Sequence, residues 1–302
     1  MEVISVIPRS YCKGVVNAIR LAKEIRGKHP DQPITILGPL VHNRFVMEAL
    51  QRINIQTLTS FGKSKIEMLD QIESGVVLFT AHGVSEHVKQ AAKQKGLICY
   101  DATCEDVFAT QRLIDQAITE GKRVLYIGKK NHPESMAVIE NDPSVVLVTH
   151  IEEIPKNIPQ PIFVTNQTTL SVLDIQPIFD TILTLYPDAE IAQEVCDATL
   201  RRQHAVIDIP KVDGIIVVGD PLSNNTRMLA KIAKDTHHGW VSMIESIEDL
   251  DVKLLSETSI IAVTAGASTP PALVEQVIRY CREFDPDNIQ PVPKVDIDTL
   301  LI

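Results

Sequence analysis

No stretch of the chain is apolar for long enough to span a bilayer, and residues Met1 to Ile7 lack the basic start and small-residue cleavage site of a secretory signal. Both absences predict a cytoplasmic protein without membrane attachment. Basic residues do not gather into a stripe interleaved with aromatics, and the net charge of −10 is spread rather than blocked into tails. A nucleic-acid surface is therefore not expected, and an anionic ligand would need local donors. Cysteine is scarce too: five residues are too few and too scattered for a disulfide scaffold, which in a cytosolic chain points to metal binding or catalysis. What is present is an ordinary globular composition, 44% hydrophobic and 23% charged, over 302 residues, enough for more than one folding unit.

Three cysteines recur at one interval. Cys104 stands 92 positions after Cys12, and Cys196 stands 92 after Cys104. Each follows a strand-like run and precedes a helical pattern, which points to one shared site supplied by three repeats. Cys99 and Cys281 instead read as small core hydrophobes. The chain divides into α/β repeats at 1–98, 99–192 and 193–284, with a tail at 285–302 rich in Pro and Asp.

In the first repeat an amphipathic segment (Val15, Ala18, Ile19, Ala22, Ile25) leads to a strand over 34–37, then to Gly38-Pro39-Leu40-Val41-His42 and a second helix. A buried-looking strand over 76–79 runs into Thr80 to Ser85 and a third helix. The second repeat follows the same order, with strands over 124–127 and 161–164 and a Pro-rich surface link over 154–161. The third has strands over 214–218 and 259–263 and a final helix from Pro270 to Phe284.

Gly38 to His42, Gly128 to His132 and Gly219 to Ser223 are each four apart. Glycine after a parallel-type strand lets backbone approach a ligand, and the next helix start offers N–H groups to an anion. His82, Thr168, Thr169 and Ser268 fall at the ends of the following strands. These positions predict a ring of donors around a pseudo-threefold axis, beyond the carboxyl ends of parallel strands. Three thiolates without a fourth suit an iron-sulfur cluster that keeps one iron open, whereas a closed zinc site would want a fourth ligand. His42, His82 and His132 can donate to phosphate oxygens, with Ser223, Asn224, Asn225 and Ser268 as neutral donors. Glu134 is the carboxylate adjacent to this set. It is either a helix-start acid favoured by the dipole or a proton donor kept near neutral by burial or a phosphate. Thr168 and Thr169 either orient that proton or cap the helix near Ser171.

The segments Pro8 to Val15, Val41-His42-Asn43-Arg44, Ala81 to Ser85, Asp101-Ala102-Thr103-Cys104, His132-Pro133-Glu134, Gln167-Thr168-Thr169-Leu170, Cys196-Asp197-Ala198-Thr199, Ser223-Asn224-Asn225-Thr226 and Thr264 to Ser268 occur in this order. Through them nearly the whole chain resembles the 4-hydroxy-3-methylbut-2-enyl diphosphate reductase family of the non-mevalonate isoprenoid pathway. The resemblance implies a trefoil of three α/β units around a central 4Fe-4S cluster on Cys12, Cys104 and Cys196. It further implies reductive loss of the substrate hydroxyl to give isopentenyl and dimethylallyl diphosphates, with a flavodoxin or ferredoxin as electron donor. His42, His82, His132, Ser223, Asn225 and Ser268 would hold the diphosphate, with Asn224 in a slot of the same set. Glu134 would deliver the proton and Thr168 would orient it. Three positions depart from the family's pattern: Ser10 where a glycine commonly stands, Glu105 where proline commonly follows the second cysteine, and Asn224 where a smaller residue is common. Two other classes are weighed beside this one. A divalent-metal phosphohydrolase on His42, His82 and His132 would want tighter histidine spacing and acidic partners. A non-catalytic iron-sulfur sensor would want a partner surface or a nucleic-acid arm.

Overall fold

A computed structural model describes residues 1–59 and 62–301; Ile302, the end of the tail, lies outside them. Short apolar runs alternating with helical patterns become parallel strands joined by helical crossovers. Three four-stranded sheets result, and every pairing described within them is parallel. One has the order β3 (Ile55–Leu58), β2 (Ile34–Leu37), β4 (Val76–Phe79), β5 (Ile98–Asp101). Another runs β7 (Val146–Val148), β6 (Arg123–Ile127), β8 (Ile162–Asn166), β9 (Glu190–Ile191). The last runs β11 (Trp240–Ile244), β10 (Gly214–Val218), β12 (Ile260–Ala265), β1 (Glu2–Ser5). The expected fold class, three α/β units of one plan, is what the chain adopts.

The inner strands carry the continuous apolar sequences that parallel strands need when both faces are covered. In β2, β4, β8 and β10 every residue is buried, and in β6 every residue but Arg123. Each such Val, Ile or Leu contributes about 1.5–3 kcal/mol through burial.

Helices fall into matching sets. α1 (Lys13–Lys28), α5 (Glu105–Thr119) and α8 (Asp197–Ile207) follow the three cysteines. α2 (Arg44–Arg52), α6 (Pro133–Asn141) and α9 (Asn224–Thr236) follow the glycine loops. α4 (Glu86–Gln94), α7 (Val172–Leu185) and α11 (Pro271–Glu283) follow the second inner strand of each sheet. Short helices α3 (Lys65–Leu69) and α10 (Val252–Ser256) lead into β4 and β12. Among the described residues no helix is long and apolar enough to cross a membrane.

By packing the chain forms two compact units. One comprises Met1–Arg20, Val41–Ile53 and the chain from Asp197 onward; the other comprises Leu21–Leu40 and Asn54–Cys196. The first unit holds the sheet of β10, β11 and β12, and the very first strand completes it: β1 pairs only with β12 among the described strands. The tail also belongs there. Ile297 and Leu300 bury against Phe45, Ala49 and Leu273, and Leu300 offers its carbonyl to the Tyr11 hydroxyl at 3.1 Å. The second unit holds the other two sheets and their cores.

Candidate active site

The three recurrent cysteines share one local geometry. The backbone N–H of Cys12 donates to Ala267 O at 3.1 Å, that of Cys104 to Ala81 O at 3.0 Å, and that of Cys196 to Thr168 O at 3.0 Å. In each case the acceptor lies in the loop leaving the inner strand beside the one that precedes the cysteine (β12, β4 and β8). Each cysteine is then followed at once by a helix. All three are partly exposed cysteines outside any disulfide, whereas Cys281 is buried and its thiol is pushed up to about 12 by desolvation. This donor set fits a thiolate-bound metal group. Cys12 comes from one compact unit and Cys104 and Cys196 from the other. Among the described residues no three His, Cys, Asp or Glu side chains are grouped as a metal site.

In the second unit, His82, His132, Glu134 and Thr168 meet. His132 is the N-cap of α6, and its Nδ1 accepts the Glu134 N–H at 3.3 Å. An accepting Nδ1 leaves the proton of the neutral ring on Nε2, which is then a donor. The His82 and His132 rings meet edge to face, with centroids 5.3 Å apart. Glu134 is 1% exposed. Its Oε1 accepts the Thr168 N–H at 2.8 Å and its Oε2 accepts the Thr168 hydroxyl at 3.0 Å. Burial, only partly offset by these bonds, lifts its carboxyl to about 7. The acid therefore holds its proton to near neutral pH, which a general acid requires. Thr169 sits one step aside, its hydroxyl accepting from Gln167 Nε2 at 2.8 Å.

In the first unit, Ser223, Asn224, Asn225 and Ser268 are all buried, none more than 7% exposed. Ser223 is the N-cap of α9, and Asn224 and Asn225 are its first residues. Ser268 Oγ donates to His42 O at 2.8 Å and lies 3.4 Å from Ser223 Oγ. Asn225 Nδ2 donates to Thr199 Oγ1 at 2.9 Å, while its Oδ1 has no hydrogen-bond partner among the described residues although it is sealed from solvent. Such a cluster of neutral groups around a helix start can take an anion or a hydroxyl. His42 lies one residue before its helix cap, Asn43, so it is not the structural counterpart of His132 and Ser223.

The glycines also earn their place differently from the expectation. A side chain at Gly219 would fall 2.5 Å from Thr226 Oγ1, and one at Gly38 would collide with Lys65 Nζ. Both have positive φ, +149° and +103°. The pressure at these turns comes from the protein's own side chains.

The family model described as LytB protein matches residues 3–282. This chain belongs to the LytB family. A relative of this LytB chain from Macrococcus caseolyticus, named 4-hydroxy-3-methylbut-2-enyl diphosphate reductase, is 43% identical over 311 residues, covering 100% of this chain and 96% of that protein. The Bacillus subtilis protein of the same name is 41% identical over 290 residues, covering 94% and 92%. Among solved structures, that of the E-1-hydroxy-2-methyl-but-2-enyl-4-diphosphate reductase from Plasmodium falciparum aligns with a TM-score of 0.87 at 28% identity, over 98% of this chain and 95% of that one. A second, of (E)-4-hydroxy-3-methyl-but-2-enyl diphosphate reductase, aligns at 0.68 and 27% identity, over 94% and 100%. The resemblance carried by the nine motifs is family membership, and LytB relatives are enzymes by these names.

Three supporting residues escape sequence reasoning. Arg202, 3% exposed, spans from α8 to the Cys12 loop, donating to Ser10 O at 2.6 Å and to Ala198 O at 2.7 Å. Asn166 accepts the Glu194 N–H at 2.9 Å and so anchors the approach to Cys196. Tyr126 donates to Glu134 Oε1 at 3.3 Å. Arg202 follows another arginine in an amphipathic helix, and Tyr126 sits in an apolar strand, so neither differs from a surface or core residue by pattern.

Proposed function

We propose that this LytB chain reductively removes the hydroxyl of 4-hydroxy-3-methylbut-2-enyl diphosphate, giving isopentenyl and dimethylallyl diphosphates. Two electrons and two protons enter and water leaves. Cys12, Cys104 and Cys196 would hold a 4Fe-4S cluster, which when bound supplies the electrons and an open iron as Lewis acid toward the hydroxyl. The chain's own residues do the rest. His42, His82, His132, Ser223, Asn224, Asn225 and Ser268 bind and orient the diphosphate. Glu134 delivers a proton from its carboxyl, and Thr168 orients that carboxyl through two hydrogen bonds. A flavodoxin or ferredoxin serves as electron donor, and the work is cytoplasmic, where thiols stay reduced.

The observation that carries this reading is the same N–H to loop-carbonyl bond recurring at all three cysteines. It supports a set of equivalent ligands, each placed at a sheet's carboxyl end. Anaerobic purification tests it: brown protein with about four irons and four sulfides per chain is expected, lost on Cys→Ser change at 12, 104 or 196. Reduced protein should then turn over the hydroxymethylbutenyl diphosphate. A colourless chain free of acid-labile sulfide would sink the cluster and the reductase together.

A further inference from the structure

Beneath Glu134 lies a buried group that the roles above leave unused. Tyr126 stands on β6 with its side chain at 0% exposure, and its hydroxyl donates to Glu134 Oε1 at 3.3 Å. A phenol closed off from water needs polar partners, and here they are the acid itself and the Ser135 side chain beside it. The strand end makes room for the ring. A Cβ at Gly128 would fall 2.8 Å from Tyr126 Cε1 and 2.5 Å from Ser135 Oγ, so only glycine lets the ring lie under the start of α6.

The two carboxyl oxygens are consequently unequal. Oε1 receives the Thr168 N–H and the Tyr126 hydroxyl, while Oε2 receives the Thr168 hydroxyl. We propose that Tyr126 is a positioning residue for proton delivery: it pins Oε1 of Glu134, keeps the transferable proton on Oε2, and sets how tightly the acid holds it. The inference rests on the reading of Glu134 as proton donor.

The sign of its effect follows from the groups that face the carboxyl. Burial raises its proton affinity, and Asp106 on α5 adds to that; the donors from Thr168 and Tyr126 lower it. His132 precedes it at the helix cap, with the His82 ring across from His132. Tyr126 stays neutral throughout, because burial and the neighbouring carboxylate hold its ionisation well above the usual phenol range. Removing the phenol hydroxyl withdraws a donor from the carboxylate form, so the acid should bind its proton more tightly.

Y126F in the cluster-bearing enzyme tests this, with two readouts. One is the alkaline limb of kcat against pH; the other is the infrared titration of the Glu134 carboxyl, assigned by its absence in E134Q. Both midpoints should rise by roughly half to one pH unit, with kcat at neutral pH down roughly three- to tenfold and KM unchanged. 3-Fluorotyrosine at position 126, a stronger donor of the same shape, should move both midpoints down, and carries the test alone if the phenylalanine variant does not fold. Midpoints unmoved by these changes would overturn the role of Tyr126 while E134Q still abolished turnover. Full turnover in E134Q would instead remove the proton-donor reading beneath it.

Discussion

Glu134 and Asn225 occupy the same slot in two different sheets. Each is the sixth residue after the glycine that ends an inner strand and the second residue of the helix that follows, α6 or α9, and each is buried. Each is also held by a threonine, Thr168 for the carboxyl and Thr199 for the amide. The difference is chemical. In the one place desolvation turns a carboxyl into a proton store with a pKa of about 7; in the other an amide orients without titrating. In the first repeat the helix starts one residue later relative to its glycine, so Arg44, six after Gly38, is the first residue of α2; it is half-exposed, pairs with Glu245 and stacks its guanidinium 4.5 Å from the Phe45 ring centre. One backbone slot at a helix start thus hosts an acid in one repeat and an amide in another, and the repeat supplies the place while the residue supplies the task.

The sharpest way to break the contrast is to make the acid an amide. E134Q should lower turnover by roughly 10²- to 10⁴-fold while cluster content and diphosphate binding stay, measured by anaerobic assay and calorimetry. Retained turnover would put the two slots on the same footing.

The same variant should reveal the proton store in stability. The Glu134 carboxyl is raised from 4.5 to about 7 on folding, so its contribution is fully present below pH 4.5 and is lost as pH rises through about 7. In that window the native state holds a proton that the unfolded chain has released. Urea unfolding should therefore show wild type weakening relative to E134Q by ~3 kcal/mol between those pH values, with no further divergence above. Parallel curves would mean that the carboxyl is ionised in the native protein.

The amide slot responds differently. T199V leaves Asn225 Nδ2 without its acceptor and should cost roughly 1–2 kcal/mol and raise KM a fewfold, with no change in the pH profile. A shifted pH limb would erase the distinction between orienting and titrating.

The smallest effect concerns the loop that carries Cys12 into the same unit. Ser10 adopts φ +65°, a left-handed conformation that favours glycine, at the position where the family commonly has one. S10G should stabilise the protein by roughly 0.5–1 kcal/mol in thermal unfolding, leaving turnover intact.

Much of this architecture was legible beforehand for identifiable reasons. The six inner strands and the helices after each cysteine stand out because full burial demands unbroken apolar runs and half burial demands helical periodicity. The outer strands β3, β7 and β11 escaped: β3 mixes polar with apolar residues, β7 has only three residues, and all three strands are only partly covered. Which sheet receives the strand before each cysteine was likewise hidden, because periodicity reports faces and not neighbours. That β1 joins β12 needs the fold. At the site, the recurrent spacing marks the cysteines, and a carboxylate beside a helix cap marks Glu134. Tyr126 and Arg202 act through hydrogen bonds made from positions whose sequence reads as ordinary core and surface.

The pairing of β1 with β12 has a consequence for biogenesis. The strand that β1 docks against is made some 250 residues after β1 itself, so the Cys12 arm must wait unpaired while that stretch is synthesised. Chains arrested before Ile260 should keep that arm open to protease while the unit of Leu21–Leu40 and Asn54–Cys196, which holds every strand of its two sheets, is already protected.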